Sequence, residues 1–211
     1  MALSIKPYIE NKERIHLIGI GGVSMNSLGE LLLSRGVPIS GSDRLRTDVT
    51  ARLEAMGAKI TYEHKPENVE GASLIVRTAA VHDDNPEIVR AHELGIPVME
   101  RAEAWGHLMR DYDNVVCLAG THGKTTSTSM TDAHDHGSAD GPTVMVGSTC
   151  LPSAVRSVSA ARAVLWLKAA NTATRPALAP TVAVILNVEE DHLDFSRIST
   201  ISSTRSMSLP S

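Results

Sequence analysis

Aromatic residues are scarce in this chain: two Trp, three Tyr and one Phe among 211 residues. Rings cannot fill its interior, so aliphatic side chains must, within a composition that is 42% apolar. Cysteine is scarce too. Cys117 and Cys150 stand far apart, one of them in an apolar run. That excludes a disulfide framework and fits a reducing, cytoplasmic setting. The chain lacks an apolar run near 18 residues and a basic-then-apolar start, so neither a membrane span nor a signal peptide is expected. A net charge of −4 gives no reason to expect nucleic acid or an anionic membrane as partner. The length admits one large or two small domains.

What is present is an alternation of strand-like and helix-like stretches. Met1 to Glu13 is polar and reads as a loosely held arm. Arg14 to Ile18 reads as a strand. It runs into Gly19-Ile20-Gly21-Gly22-Val23-Ser24, and then a helical pattern (Leu28, Leu31, Leu32) that stops at Gly36. Strand, glycine turn and helix make the first unit of a doubly wound parallel sheet. A second strand over 37–40 ends at Gly41-Ser42-Asp43, where such folds place an acid on a ribose hydroxyl. Ser24 stands where the fingerprint has its third glycine. The alternation continues with helices over 47–56, 86–94 and 101–109 and strands over 58–62, 74–76 and 97–99. The loop from Arg77 through Thr78 leaves a strand's carboxyl end, where open α/β sheets bind ligands. His16 reads as a satisfied structural histidine, His64 and His82 as solvated loop residues. Residues 111–114 read as a polar hinge.

A second glycine turn follows the apolar run 115–118: Gly120-Thr121-His122-Gly123-Lys124-Thr125-Thr126. Such a turn aims backbone N–H groups at one point, at the positive end of a helix dipole. Lys124 suits the outer phosphates and the Thr125 hydroxyl suits Mg²⁺. The usual pattern has a glycine five residues before Gly123, where Leu118 stands, so this loop is a shortened variant. Residues 131–141, with His134, Asp135 and His136, hold no apolar stripe, and 153–179 show no clear period. The run 180–188 reads as a buried strand that delivers Glu189-Glu190-Asp191-His192-Leu193-Asp194, suited to a divalent metal or a nucleotide. Residues 196–211 are serine-rich and read as disordered.

Taken together, Gly19-Ile20-Gly21-Gly22, Gly41-Ser42-Asp43, the 120–126 loop and Asn187-Val188-Glu189-Glu190-Asp191-His192-Leu193-Asp194 resemble the Mur ligases of bacterial peptidoglycan synthesis. The resemblance covers about residues 12–130, 142–149 and 180–195. It implies a Rossmann-like domain over 1–112 that binds the UDP part of UDP-N-acetylmuramate at Gly19, Gly21, Gly22, Ser24, Asp43 and Thr78. It implies a partial ATP-binding α/β domain over 113–195, with phosphates on Gly120 to Thr126. Asn187 would approach the base, Thr125 and His192 would serve Mg²⁺, and Lys124 and His192 would be catalytic. The implied reaction joins L-alanine to the muramate carboxylate through an acyl phosphate.

The chain departs from that pattern in three ways. A Glu-Ser-Cys-Glu-Tyr-Cys motif expected before residue 180 is missing, the helix after the phosphate loop is scrambled, and the family's third domain is absent. These departures predict little or no ligase activity for the chain alone. Slips of reading frame over 131–141, 150–179 and 196–211 would account for all three, and the nucleotide sequence tests that. Three other readings compete: a ligase for a recycled tripeptide, a non-catalytic UDP-sugar-binding module, and an NAD-dependent dehydrogenase. The second phosphate loop argues against the last.

Overall fold

Short apolar runs joined by helices can pair only side by side and in parallel, and that is the arrangement in this computed structural model. It describes residues 3–119, 122–123, 126–127, 130, 143–145, 164–168 and 180–187, with the backbone alone for 23, 119, 143–145 and 164–168. The chain divides into two units, Met1–His107 and Leu108–Ser211.

In the first unit, β1 (Ile15–Ile18), β2 (Ile39–Ser42), β3 (Lys59–Thr61), β4 (Leu74–Arg77) and β5 (Val98–Glu100) form one parallel sheet in the order β3-β2-β1-β4-β5. Ile15 faces Ile39 on one side and Leu74 on the other. Strand β1 is thus central and buried throughout, which is why it reads as an apolar run interrupted only by His16 rather than as an alternation. The strand order reverses between β1 and β4, and ligands bind such folds outside the carboxyl ends at that reversal.

Helices fix the two faces. Helix α2 (Val23–Ser34) approaches the sheet at Gly29, where a side chain would come within 3.3 Å of Ile39 and Leu17 and 3.5 Å of Leu53. Helix α3 (Asp48–Ala55) starts in a reciprocal capping box: Thr47 and Thr50 each accept from the other's backbone N–H. It stops at Gly57, whose φ of +107° suits no other residue as well. Helix α4 (Pro86–Glu93) covers a cluster of Ile18, Ile75, Ile88, Ala91 and Val69, the last from a 3₁₀ turn (Pro66–Val69). Helix α5 (Arg101–Met109) follows β5. Each fully buried aliphatic chain here contributes about 1.5–3 kcal/mol.

Four expectations need correction. The amino-terminal stretch is not a loose arm: helix α1 (Lys6–Glu10) forms there, and Ile5 and Ile9, one turn apart, bury on one face. Strand β2 does not end before Gly41 but runs through Ser42, because the parallel ladder with β1 continues that far. In the second unit, β6 (Asn114–Ala119), β7 (Thr143–Met145), β8 (Val164–Lys168) and β9 (Val182–Ile185) form a parallel sheet ordered β7-β8-β6-β9. Strand β8 lies inside the stretch read as aperiodic. A short continuous apolar run carries no period, so periodicity cannot find it. Strand β9 is exposed along its length rather than buried. Among the described residues it is an edge strand, and its apolar composition alone does not supply a covering layer.

Candidate functional site

The first glycine turn is built around Asp43. Gly19 leaves β1 with φ +78°, and its N–H donates to the Ser42 carbonyl at 2.8 Å. Gly21 N–H donates to Asp43 Oδ2 at 2.8 Å, and Arg44 N–H donates to Oδ1 at 2.7 Å. The carboxylate therefore ties the turn after β1 to the loop after β2, a task that the spacing argument did not foresee. A side chain at residue 21 would meet Asp43 Oδ2 at 2.9 Å, and one at residue 41 would meet Ile20 at 2.6 Å. Both positions need glycine for close approach. Gly22 is the N-cap of α2 and offers no side chain to the helix's first amides. Those amides and the helix dipole suit an anion.

Outside the strand ends lies a cleft of about 810 Å³, lined by Gly19, Asp43, Arg44, His64, His82 and Asn85 among others. The structure thus brings Gly19 and Asp43 to the cleft. Thr78 packs its methyl group beside Gly19, and Ser24 sits in the first turn of α2, where its carbonyl accepts from Trp105 Nε1 at 3.4 Å. Arg44, His64, His82 and Asn85 were not singled out as ligand contacts. The one signal for this wall was Asn85-Pro86, a cap followed by a helix-starting proline that aims the loop at the strand ends.

Behind the cleft wall lies Glu87, which has no solvent exposure. Its Oε2 accepts from Ser42 Oγ at 2.7 Å and from His64 Nδ1 at 2.7 Å, and its Oε1 accepts from Asn68 Nδ2 at 2.7 Å. His16 Nε2 stands 3.4 Å from Oε1, a long approach that falls short of good hydrogen-bond geometry. Burial pushes this carboxyl up. The approach of His16 and the bonds from Asn68, His64 and Ser42 outweigh burial and hold it at about 2. His16 is a structural histidine as expected, with Nδ1 bonded to Ser40 Oγ at 2.9 Å. His64 is not merely solvated: it is anchored from inside by Glu87 and Ser42.

In the second unit, Gly123 has φ +81°, and Ser127 N–H donates to its carbonyl at 2.9 Å, starting a helix. Asn187 grips His122 from both sides: His122 N–H donates to Oδ1 at 2.9 Å, and Nδ2 donates to the His122 carbonyl at 3.1 Å. This pairing lies beyond the last β6–β9 register pair, Ala119 with Ile185. It engages the Asn187 amide group that the resemblance assigned to a nucleotide base. It also engages the His122 N–H, which therefore is not among the anion donors. Thr126 lies at the helix start, exposed. Gly120, Thr121, Lys124, Thr125 and His192 lie outside the described residues. Among the described residues no group of three His, Cys, Asp or Glu could hold a metal ion, and no helix is long and apolar enough to cross a membrane.

Comparison with known proteins follows the same lines. Residues 14–113 match the family described as "Mur ligase family, catalytic domain". The chain is 41% identical over 188 residues to a UDP-N-acetylmuramate–L-alanine ligase of Clostridium novyi, covering 88% of this chain and 41% of that protein. It is 43% identical over 189 residues to the ligase of that name from Caldanaerobacter subterraneus subsp. tengcongensis, covering 89% of this chain and 41% of that one. The chain thus spans about two fifths of the length of these curated relatives. Among solved structures, UDP-N-acetylmuramate-alanine ligase from Thermotoga maritima matches with TM-score 0.74 and 28% identity, over 92% of this chain and 46% of that one. A UDP-N-acetylmuramate:L-alanyl-gamma-D-glutamyl-meso-diaminopimelate ligase from Neisseria meningitides matches with TM-score 0.79 over 92% of this chain and 66% of that one. At 21% identity that likeness speaks for the fold alone.

Proposed function

This chain belongs to the Mur ligase family, and on that premise we propose that it serves the ATP-dependent joining of L-alanine to UDP-N-acetylmuramate in peptidoglycan precursor synthesis, in the cytoplasm. The first unit is the sugar-nucleotide domain in this reading, and the second the ATP domain. The observation that carries it is the cleft at the β1–β4 reversal, with the Gly19–Gly22 turn pinned by Asp43 at its mouth. Uncapped amides at the start of α2 favour a diphosphate there, and Arg44 adds positive charge to the wall.

For the second unit the support is a strand, a left-handed glycine at 123 and a helix start, in the order that a phosphate loop requires. Lys124 and Thr125 would hold the phosphates and Mg²⁺ by sequence, and His192 would join the metal. Bound Mg²⁺ would supply neutralising charge to the transferring phosphoryl group. The muramate carboxylate would attack the γ-phosphate, and the amine of L-alanine would displace phosphate from the resulting acyl phosphate.

Isothermal titration of the purified chain with UDP-N-acetylmuramate and with ATP tests this reading. Binding of the sugar nucleotide is expected. Gly21→Val should abolish it by displacing Asp43, with the circular dichroism spectrum retained. A chain that binds no UDP-N-acetylmuramate overturns the reading.

A further inference from the structure

Four parts of the first sheet converge on one carboxylate. His16 comes from β1, Ser42 from β2, His64 from the segment after β3 and Asn68 from the 3₁₀ turn, and all face Glu87 in the first turn of α4. A carboxylate without a proton only accepts hydrogen bonds. The nitrogen that meets it at 2.7 Å, His64 Nδ1, must therefore carry hydrogen. Ser42 Oγ, 3.2 Å from the same nitrogen, has its own proton committed to Glu87. The His64 ring is 19% exposed and lines the 810 Å³ cleft. With Nδ1 turned inward, Nε2 is the ring atom left to meet a ligand, and in the neutral ring it is an acceptor.

We propose that Glu87 is a positioning residue for the cleft: it locks His64 as the Nδ1–H tautomer, so that Nε2 accepts a hydrogen bond from a donor group of the bound nucleotide. This rests on the sugar-nucleotide reading of the cleft. Glu87 itself touches no ligand and acts only through the ring. His16 is the other titratable group facing Glu87. Its Nδ1 is bonded to Ser40 Oγ and its side chain is buried.

The test joins ¹⁵N spectroscopy of the imidazole rings with UDP titrations of the full chain at about pH 8. In the wild type, His64 should show protonated Nδ1 and unprotonated Nε2 at pH 8. In Glu87→Gln the amide can donate to Nδ1, and the tautomer should reverse. UDP affinity should then fall about tenfold, the loss of one hydrogen bond. His64→Asn, which keeps only the inner donor and tests the contact without disturbing the buried carboxylate, should fall by a similar factor. A wild-type ring in the other tautomer, or one unchanged in Glu87→Gln, overturns the inference and leaves the sugar-nucleotide reading standing. Unchanged affinity in His64→Asn also overturns it. A wild type that binds no UDP, with the ring tautomer as stated, overturns the sugar-nucleotide reading instead, and the ligand contact with it.

Discussion

Glu87 keeps its charge out of contact with water because donors meet both of its oxygens. Its folded value of about 2 lies below the usual 4.5, so folding favours the ionised form. The sign follows: this stability is complete above about pH 4.5 and is lost as pH falls toward 2, on the order of 3 kcal/mol in all. Urea unfolding at pH 7 and pH 3 should show a large acid loss in the wild type and a smaller one in Glu87→Gln. Glu87→Ala, which strands three donors and a buried histidine, should cost about 3–5 kcal/mol at pH 7 in the same measurement. The other residue with two-sided work is Asn187. Asn187→Ala should speed hydrogen exchange at the His122 amide by about tenfold or more, the loss of one hydrogen bond. Asn187→Asp keeps the Oδ1 acceptor and should leave that amide protected.

At the level of elements, the capping box of α3 is a local contribution that can be measured by itself. Thr47→Ala should lower stability by about 1 kcal/mol in thermal denaturation, without altering ligand affinity. The same locality explains what was legible. The α-helices and strands from Ile15 to Met109 were readable, most of them as an apolar run or a one-faced helix bounded by glycine, proline or a cap, while the 3₁₀ turn was not. Helix α1 was missed because two isoleucines a turn apart are too few to make a visible stripe. Strand β8 was missed for lack of a period, and β9 was misjudged because composition predicts a preference for burial but not a partner to bury against. At the site, Gly19, Gly21 and Asp43 were legible as a motif. Glu87, His64 and Asn68 were not, since their meeting depends on the crossing of four segments far apart in sequence. Asn187 was legible as important, but its partner across 65 positions was not.

For the molecule as a whole, two units with two proposed ligands imply two separable responses. A ligand that binds only the folded form stabilises by about 2.7 kcal/mol at a hundred times its dissociation constant. Hydrogen exchange followed by mass spectrometry should therefore show UDP-N-acetylmuramate slowing exchange within residues 3–107, and ATP slowing it within 114–127. Cys117 offers a further handle. It sits in β6 between β8 and β9, wholly buried, with burial pushing its thiol up to about 12. Thiolate is the reactive species, and here it is both rare and sealed. In a Cys150→Ser chain, then, a disulfide reagent would act as a clock: the pace at which it consumes the one remaining thiol would report how often the second sheet comes apart.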